Sequence, residues 1–278
     1  MKYCDLHTHS VYSDGTFTPE ELISAAKQAG LAAVALTDHN TVAGLPCFLA
    51  AAQGSGVEAV PGVEISTDYG EKELHILALF VRPEHYDAIT DLMEEMLRRK
   101  EESNVALVDA LFRAGYPVDY AAIKARTPNG QVNRALIAAE LARLGYVEDI
   151  QAAFKKLLSP KRGLYTPPRR ISSYEAIRFI KSLGCTAVLA HPFLNMDAAM
   201  LRGFLPEAVA CGLDGMETVY SKYSPEETAL AIRIAQEFGL KNSGGSDFHG
   251  QNKPDIAIGT GRGDLKIPVE WMEALRPI

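Results

Sequence analysis

Two pairs of alternating residues stand near the ends of the chain, His7-Thr8-His9 and Asp247-Phe248-His249. Side chains alternate between faces of an extended backbone, so residues two apart project to the same side. Each pair can therefore offer two ligand atoms to one cation. Between them come Asp14 in a Tyr-Ser-Asp-Gly loop, Asp38-His39, Glu64, His75 and His191-Pro192. Six of the seven histidines stand beside other potential ligands, and only His85 does not. Taken singly, each has an ordinary alternative. A lone histidine is usually a hydrogen-bonded structural residue, Asp14 suits a turn, and His75 suits an inward-facing strand position. Glu64 is harder to explain that way, because a carboxylate buried at the end of an apolar segment costs several kcal/mol without a partner.

Taken together, His7, His9, Asp14, His39, Glu64, His75, His191, Asp247 and His249 are too many donors for one ion. They suit two or three divalent cations sharing a bridging carboxylate, for which Glu64 is the choice. The set contains no thiolate, which favours manganese, iron or zinc over a structural zinc site; affinity ordering does not choose among them. Such a cluster lowers the pKa of a bridging water and neutralises phosphate oxygens. The expected chemistry is phosphoester hydrolysis, with a metal-bound hydroxide as nucleophile rather than a side chain. The group that protonates the leaving oxygen is not legible.

These residues need elements to carry them, and most fall where a short apolar strand ends. Strands are predicted over 2–7, 32–37, 57–60, 74–81, 187–190, 215–219 and 240–244. Helices with strong start signals lie between them. Thr18-Pro19 with Glu21 forms a capping box closed by Gly30, Ser172 opens a second helix running to Gly184, and Ser224-Pro225-Glu226-Glu227 repeats the first pattern before Gly239. Short strands alternating with capped helices indicate parallel βαβ units, whose chemistry gathers at the C-terminal strand ends. Between about 85 and 170 that rhythm breaks. Leu92, Met93, Met96, Val105, Val108, Leu111 and Phe112 predict a long amphipathic helix closed by Gly115, and two more helices are joined at Gly145. Residues 97–167 read as a helical insertion placed over the barrel mouth, leaving 1–96 and 168–278 as the metal-binding barrel.

The 278 residues carry a net charge of −7, unevenly distributed. Residues 98–170 hold 14 Lys+Arg against 7 Asp+Glu, and the remainder 14 against 28. An acidic body suits cations, and a basic segment suits an anionic ligand, although a solvated helical face explains such a bias equally simply. No signal peptide or membrane-length apolar run is visible, and the four scattered cysteines read as reduced thiols of a cytoplasmic protein.

The ordered set His-x-His, Thr-Asp-His-Asn-Thr, Gly-Val-Glu-Ile-Ser, Ala-His-Pro and Gly-Ser-Asp-Phe-His-Gly resembles the PHP family, named for polymerase and histidinol phosphatase. The resemblance implies a distorted (β/α)7 barrel and a trinuclear metal site. It further implies that His7, His9, Glu64 and Asp247 hold one ion, Glu64, His75 and His191 a second, and Asp14, His39 and His249 the third.

Substrate choice falls to the insertion. Asn133 and Arg134 stand at a helix start, where the dipole favours an anion. Tyr165, Arg169 and Arg170 lie where the insertion returns to the barrel, and Lys222 follows the strand at 215–219. Together they could clamp a second phosphate, with arginine supplying bidentate geometry; singly, each suits solvated surface as well. The Asn-Arg-Ala-Leu-Ile-Ala and Gly-Leu-Tyr-Thr-Pro segments resemble small bacterial PHP phosphoesterases acting on nucleotides. The expected substrate is thus a nucleoside 3′,5′-bisphosphate losing its 3′-phosphate, with short 5′-phosphorylated RNA as a further partner. Histidinol-phosphate hydrolysis, 5′-3′ exonuclease action on short RNA, C–N amide hydrolysis and a non-catalytic PHP module are the alternatives. The acidic body argues against long nucleic acid. Oligomeric state is not legible.

Overall fold

The computed structural model describes residues 2–127 and 132–277. Its sheet strands are β1 (Tyr3–Asp5), β2 (Ala33–Leu36), β3 (Glu58–Tyr69), β4 (Lys72–Leu79), β5 (Thr186–Leu189), β6 (Gly215–Tyr220), β7 (Lys241–Gly245) and β8 (Ile267–Pro268), in the order β7-β6-β5-β4-β3-β2-β1-β8. Just beyond the strands the sheet curls back on itself: the Leu6 N–H donates to Gly244 O at 3.2 Å, and the Asp247 N–H to His7 O at 2.9 Å. Seven strands thus surround a barrel, and β8 adds a short antiparallel edge to β1. This is a distorted (β/α)7 barrel.

The helices begin as their capping residues dictate. Thr18, Ser172 and Ser224 each accept the backbone N–H three residues on, and Glu21, Glu175 and Glu227 reach back to the cap, opening α1 (Pro19–Gln28), α7 (Ser173–Ser182) and α9 (Pro225–Glu237). Two barrel helices carry weaker signals. Helix α2 (Leu45–Ala52) starts from Gly44 with no side-chain cap, and α8 (Ala198–Ala210) carries Pro206 in its interior, although Asp197 caps it by accepting Met200 N–H at 2.8 Å.

One expectation from the strand rhythm is corrected. β4 is antiparallel to both β3 and β5, because only Gly70 and Glu71 join β3 to β4 and no crossover helix fits. Gly70 takes φ 60°, which the tight turn requires. The reversal matters for the site. It brings His75, early in β4, opposite Ser66, late in β3, and sets Glu64 opposite Leu77 and Gly62 opposite Leu79. Directly opposed residues share a face. The face that packs Leu77 and Leu79 into the core with Val60, Cys4, Leu6, Ala33 and Ala35 therefore continues into Glu64 and His75.

The chain divides into two compact units, 1–91 with 171–278, and 92–170. Helix α3 (Tyr86–Arg113) enters the second unit, which also contains α4 (Tyr120–Arg126), α5 (Arg134–Arg143) and the short α6 (Ile150–Ala153). That unit has its own core of Leu107, Leu111, Ile123, Ile137, Leu141 and Leu158. Buried Asn104 is satisfied there by donating to Val132 O at 2.9 Å.

Candidate metal centre

Backbone features at the strand ends determine which side chains meet. Gly245 lies so close to β1 that a Cβ would come within 2.2 Å of His7 Cβ, so the approach of β7 requires glycine. Past β5, β7 and the end of β2 the chain turns through left-handed conformations at His191 (φ 27°), Asp247 (φ 57°) and Asn40 (φ 53°). Left-handed non-glycine residues carry a strain of order 1 kcal/mol or more and cluster where function requires them. Asp38 orders the first loop by accepting Ser10 N–H at 2.7 Å, Ser10 Oγ–H at 2.6 Å and Ser13 Oγ–H at 2.6 Å. Asp5, fully buried, accepts Ser246 N–H and Gly259 N–H at 2.8 Å each.

All nine predicted donors converge, and Glu64 lies at their middle. Its Oε2 faces His7 Nε2 at 3.1 Å, His9 Nε2 at 3.2 Å and His39 Nδ1 at 3.1 Å. Its Oε1 faces His75 Nδ1 at 2.7 Å and His191 Nε2 at 3.0 Å. Asp247 Oδ1 lies 3.3 Å from His9 Nε2, 3.7 Å from His7 Nε2 and 3.4 Å from His249 Nδ1. Asp14 Oδ1 is 3.2 Å from His249 Nε2, and its Oδ2 is 3.9 Å from His39 Nε2. Three overlapping groups can each hold an ion: His9, Asp14, His39 and His249; His7, His9 and Glu64; His39, Glu64 and His75. His7, His9 and Glu64 are fully buried, whereas the Asp14 side chain is 56% exposed and that of His39 25%. The cluster is therefore open to solvent at Asp14 and His39.

The arrangement fits cations. Five imidazole nitrogens surround one carboxylate, more than its oxygens can serve as in-plane hydrogen-bond partners. His39 Nδ1 is buried 3.1 Å from Glu64 Oε2 and makes no hydrogen bond among the described residues. His7 lies between two carboxylates, Nδ1 2.9 Å from Glu217 Oε1 and Nε2 3.1 Å from Glu64 Oε2; with a cation at Nε2, the remaining ring proton would sit on Nδ1, where Glu217 accepts it. Imidazole nitrogens crowded around a carboxylate in this way are a donor set that a divalent cation would satisfy. Charge in the cluster is correspondingly shifted. Burial opposes ionisation of Glu64, yet His7 and His75 hold its carboxyl well below the usual range. Burial likewise opposes a charge on His7, but Glu64 and Glu217 outweigh it and hold the imidazole well above its ordinary value. His75, half-buried and beside Glu64, rises to about 9, and His39 falls to about 4 through desolvation.

Three contributors were not singled out from sequence. Glu217 is fully buried in β6 and touches two of the nine donors through their ring or backbone nitrogen. Tyr220 donates to Asp247 Oδ2 at 2.7 Å, and Lys253 Nζ donates to the same oxygen at 2.6 Å. Glu217 was legible in principle, being a carboxylate inside an apolar strand like Glu64. Tyr220 and Lys253 carry no such signal.

The predicted substrate residues fall in both units. Lys222 is exposed just after β6. In the second unit Asn133 caps α5, its Oδ1 accepting Leu136 N–H at 3.0 Å. The Arg134 guanidinium lies 4.3 Å from the centre of the buried Tyr165 ring and 5.6 Å from that of Phe154. Arg169 is exposed and Arg170 half-buried.

The PHP domain profile matches residues 5–163. A 5′-3′ exoribonuclease of Haemophilus influenzae is 35% identical over 249 residues, 89% of this chain and 90% of that protein. A 3′,5′-nucleoside bisphosphate phosphatase of Chromobacterium violaceum is 30% identical, with 93% and 91% covered. The crystal structure of an inferred metal-dependent phosphoesterase from Bifidobacterium adolescentis superposes with a TM-score of 0.69 at 27% identity, covering 99% of this chain and 95% of that one. Barrel, carboxylate-centred histidine cluster and sequence relatives agree: the chain belongs to the PHP family of metal-dependent phosphoesterases.

Proposed function

We propose that this chain is a cytoplasmic phosphomonoesterase that removes the 3′-phosphate of nucleoside 3′,5′-bisphosphates, with two or three manganese ions held by the nine clustered donors. The observation that carries the reading is Glu64, which turns one oxygen toward His7, His9 and His39 and the other toward His75 and His191. With these histidines, Glu64 would hold divalent cations, which would supply the charge neutralisation that phosphoryl displacement needs. When bound, the cations supply an activated water and neutralise charge on the phosphoryl group. The protein's own residues do the rest. Fully buried His7, His9 and Glu64 keep bulk water from the floor of the site, so its charges act at low dielectric. Tyr220 and Lys253 fix the Asp247 carboxylate, aiming its other oxygen at His7 and His9. The exposed side at Asp14 and His39 leaves an entry for substrate.

For the second phosphate we propose Arg134, with Asn133, Tyr165, Arg169, Arg170 and Lys222 as further substrate contacts. A guanidinium stacked on aromatic rings presents its donors as a planar fork, which matches phosphate geometry. A relative bearing the name 3′,5′-nucleoside bisphosphate phosphatase supports this substrate. The second reading, 5′-3′ hydrolysis of short RNA, is favoured by the relative named a 5′-3′ exoribonuclease. The four cysteines are all free, as a reducing compartment allows.

Phosphate or nucleotide release from manganese-loaded protein separates these readings, using adenosine 3′,5′-bisphosphate, AMP, histidinol phosphate and a short 5′-phosphorylated RNA. Preference for the bisphosphate, lost in Asp247→Asn, is the expected result. Preference for RNA moves the assignment to the second reading, and preference for histidinol phosphate rejects both.

A further inference from the structure

We propose that Glu217 is a positioning residue that sets the ring orientation of His7 and the backbone of His191 at once, and so fixes the two sides of the Glu64 cluster relative to each other. The proposal rests on the reading of those histidines as metal ligands.

Glu217 is fully buried, and both of its oxygens are engaged. Oε1 accepts from His7 Nδ1 at 2.9 Å, and Oε2 accepts the His191 backbone N–H at 2.6 Å. The first bond turns Nε2 toward Glu64 Oε2, 3.1 Å away, and with a cation at Nε2 it would keep the ring proton on Nδ1. The second bond holds a backbone that L-residues adopt rarely, φ 27° with ψ 54°. From that backbone the His191 ring reaches Glu64 Oε1 at 3.0 Å. His7 belongs to the Oε2 side of Glu64 and His191 to the Oε1 side. One carboxylate from β6 therefore ties together donors that share no strand and lie 184 positions apart in the chain.

The strand is shaped for this. Glu217 and Tyr220 are three residues apart, a spacing that puts side chains on opposite faces of a regular strand. Yet Glu217 bonds His7, and Tyr220 bonds Asp247. The pairing of β6 with β7 slips between them: Glu217 lies opposite Ser243 and Val219 opposite Gly244, so β6 carries one extra residue. Bulges of this kind re-aim side chains at strand ends beside active sites.

Gln is the diagnostic substitution, because its single carbonyl oxygen can accept from His7 or from His191 but not from both. With the amide group against His7, the ring must accept at Nδ1 and carry its proton on Nε2, the nitrogen that faces Glu64. Two measurements on Glu217→Gln and wild type decide the matter. Manganese titration, read as ions bound per chain and their affinity, should show a 10- to 100-fold loss in the variant, the range for groups that orient metal-binding histidines. In the zinc-loaded protein, ¹⁵N spectra of the histidine rings should show His7 protonated at Nδ1 in wild type and changed in the variant, an effect that general loosening of the fold does not produce. An unchanged affinity in a folded variant overturns the proposal, as does a wild-type His7 protonated on Nε2. Should the variant fail to fold, the wild-type ring spectrum alone decides. A wild type that binds no cation overturns the metal-centre reading, and this proposal with it.

Discussion

Tyr220 Oη donates a 2.7 Å hydrogen bond to Asp247 Oδ2, while Asp247 Oδ1 faces His9 Nε2 at 3.3 Å. The tyrosine thus holds the back of a carboxylate whose front belongs to the cluster. Lys253 is the second anchor on the same oxygen, so Asp247 is not left unpartnered when Tyr220 is lost. Tyr220→Phe should lower manganese affinity roughly tenfold. It should cost about 1–2 kcal/mol of stability for the lost bond to a charged acceptor. Calorimetric titration and thermal melting check both values, and wild-type affinity in the variant counts against the anchoring role.

Gly245 and Gly203 make a matched pair for testing the closure of the barrel. A Cβ on Gly245 meets His7 Cβ at 2.2 Å and His7 N at 2.7 Å, so Gly245→Ala must push β7 from β1. A stability loss of about 1–3 kcal/mol is expected for such overpacking, together with weakened metal binding. A Cβ on Gly203, inside α8, meets nothing within 4 Å. Gly203→Ala should be neutral or stabilise by about 0.5–1 kcal/mol. Urea unfolding of both variants gives the comparison, and equal effects would refute the close-approach explanation.

The second unit carries its own pH-dependent contact. Glu140 accepts from Arg143 and Arg126, both at 2.7 Å, and these arginines bring its carboxyl from the ordinary 4.5 down to about 2. A folded-state value below the unfolded one means that its stabilising contribution is complete above about pH 4.5. The contribution disappears as pH falls through about 2. The gap in unfolding midpoint between wild type and Glu140→Gln should therefore be constant from pH 5 to 7 and narrow steadily below 4.5. A gap that widens on acidification has the wrong sign for this contact.

Much of the barrel is written in local signals. The three capping boxes at Thr18, Ser172 and Ser224 are each read within a few residues, and each opens a helix as expected. Among the nine clustered donors, His7 with His9 and Asp247 with His249 were legible in alternate spacing, and His39 and His191 in strand-end placement, which are also local. Asp14 lies in a loop and Glu64 and His75 inside β3 and β4, where the family resemblance was needed. The reversed direction of β4 was not legible, since it depends on a two-residue connection whose geometry appears only when β3 and β4 pair. Helix α8 was not singled out because Pro206, normally a breaker, lies in its interior, although Asp197 supplies a local cap. The anchoring roles of Tyr220 and Lys253 were invisible for a different reason. A tyrosine and a lysine are ordinary in their local settings, and only the fold brings them to Asp247.

Glu64 offers the sharpest test of a bridged metal centre. Protein stripped with chelator is titrated with manganese while bound metal and phosphate release from adenosine 3′,5′-bisphosphate are followed together, in wild type and in Glu64→Gln. Wild type should be silent when stripped, bind at least two ions per chain and recover activity on loading. The variant should lose at least one ion and about 100-fold or more in rate, because an amide cannot serve both sides of the cluster. Full activity in the stripped protein, or an active wild type holding a single ion, would mean that Glu64 bridges no cations and that the nine donors serve some other purpose.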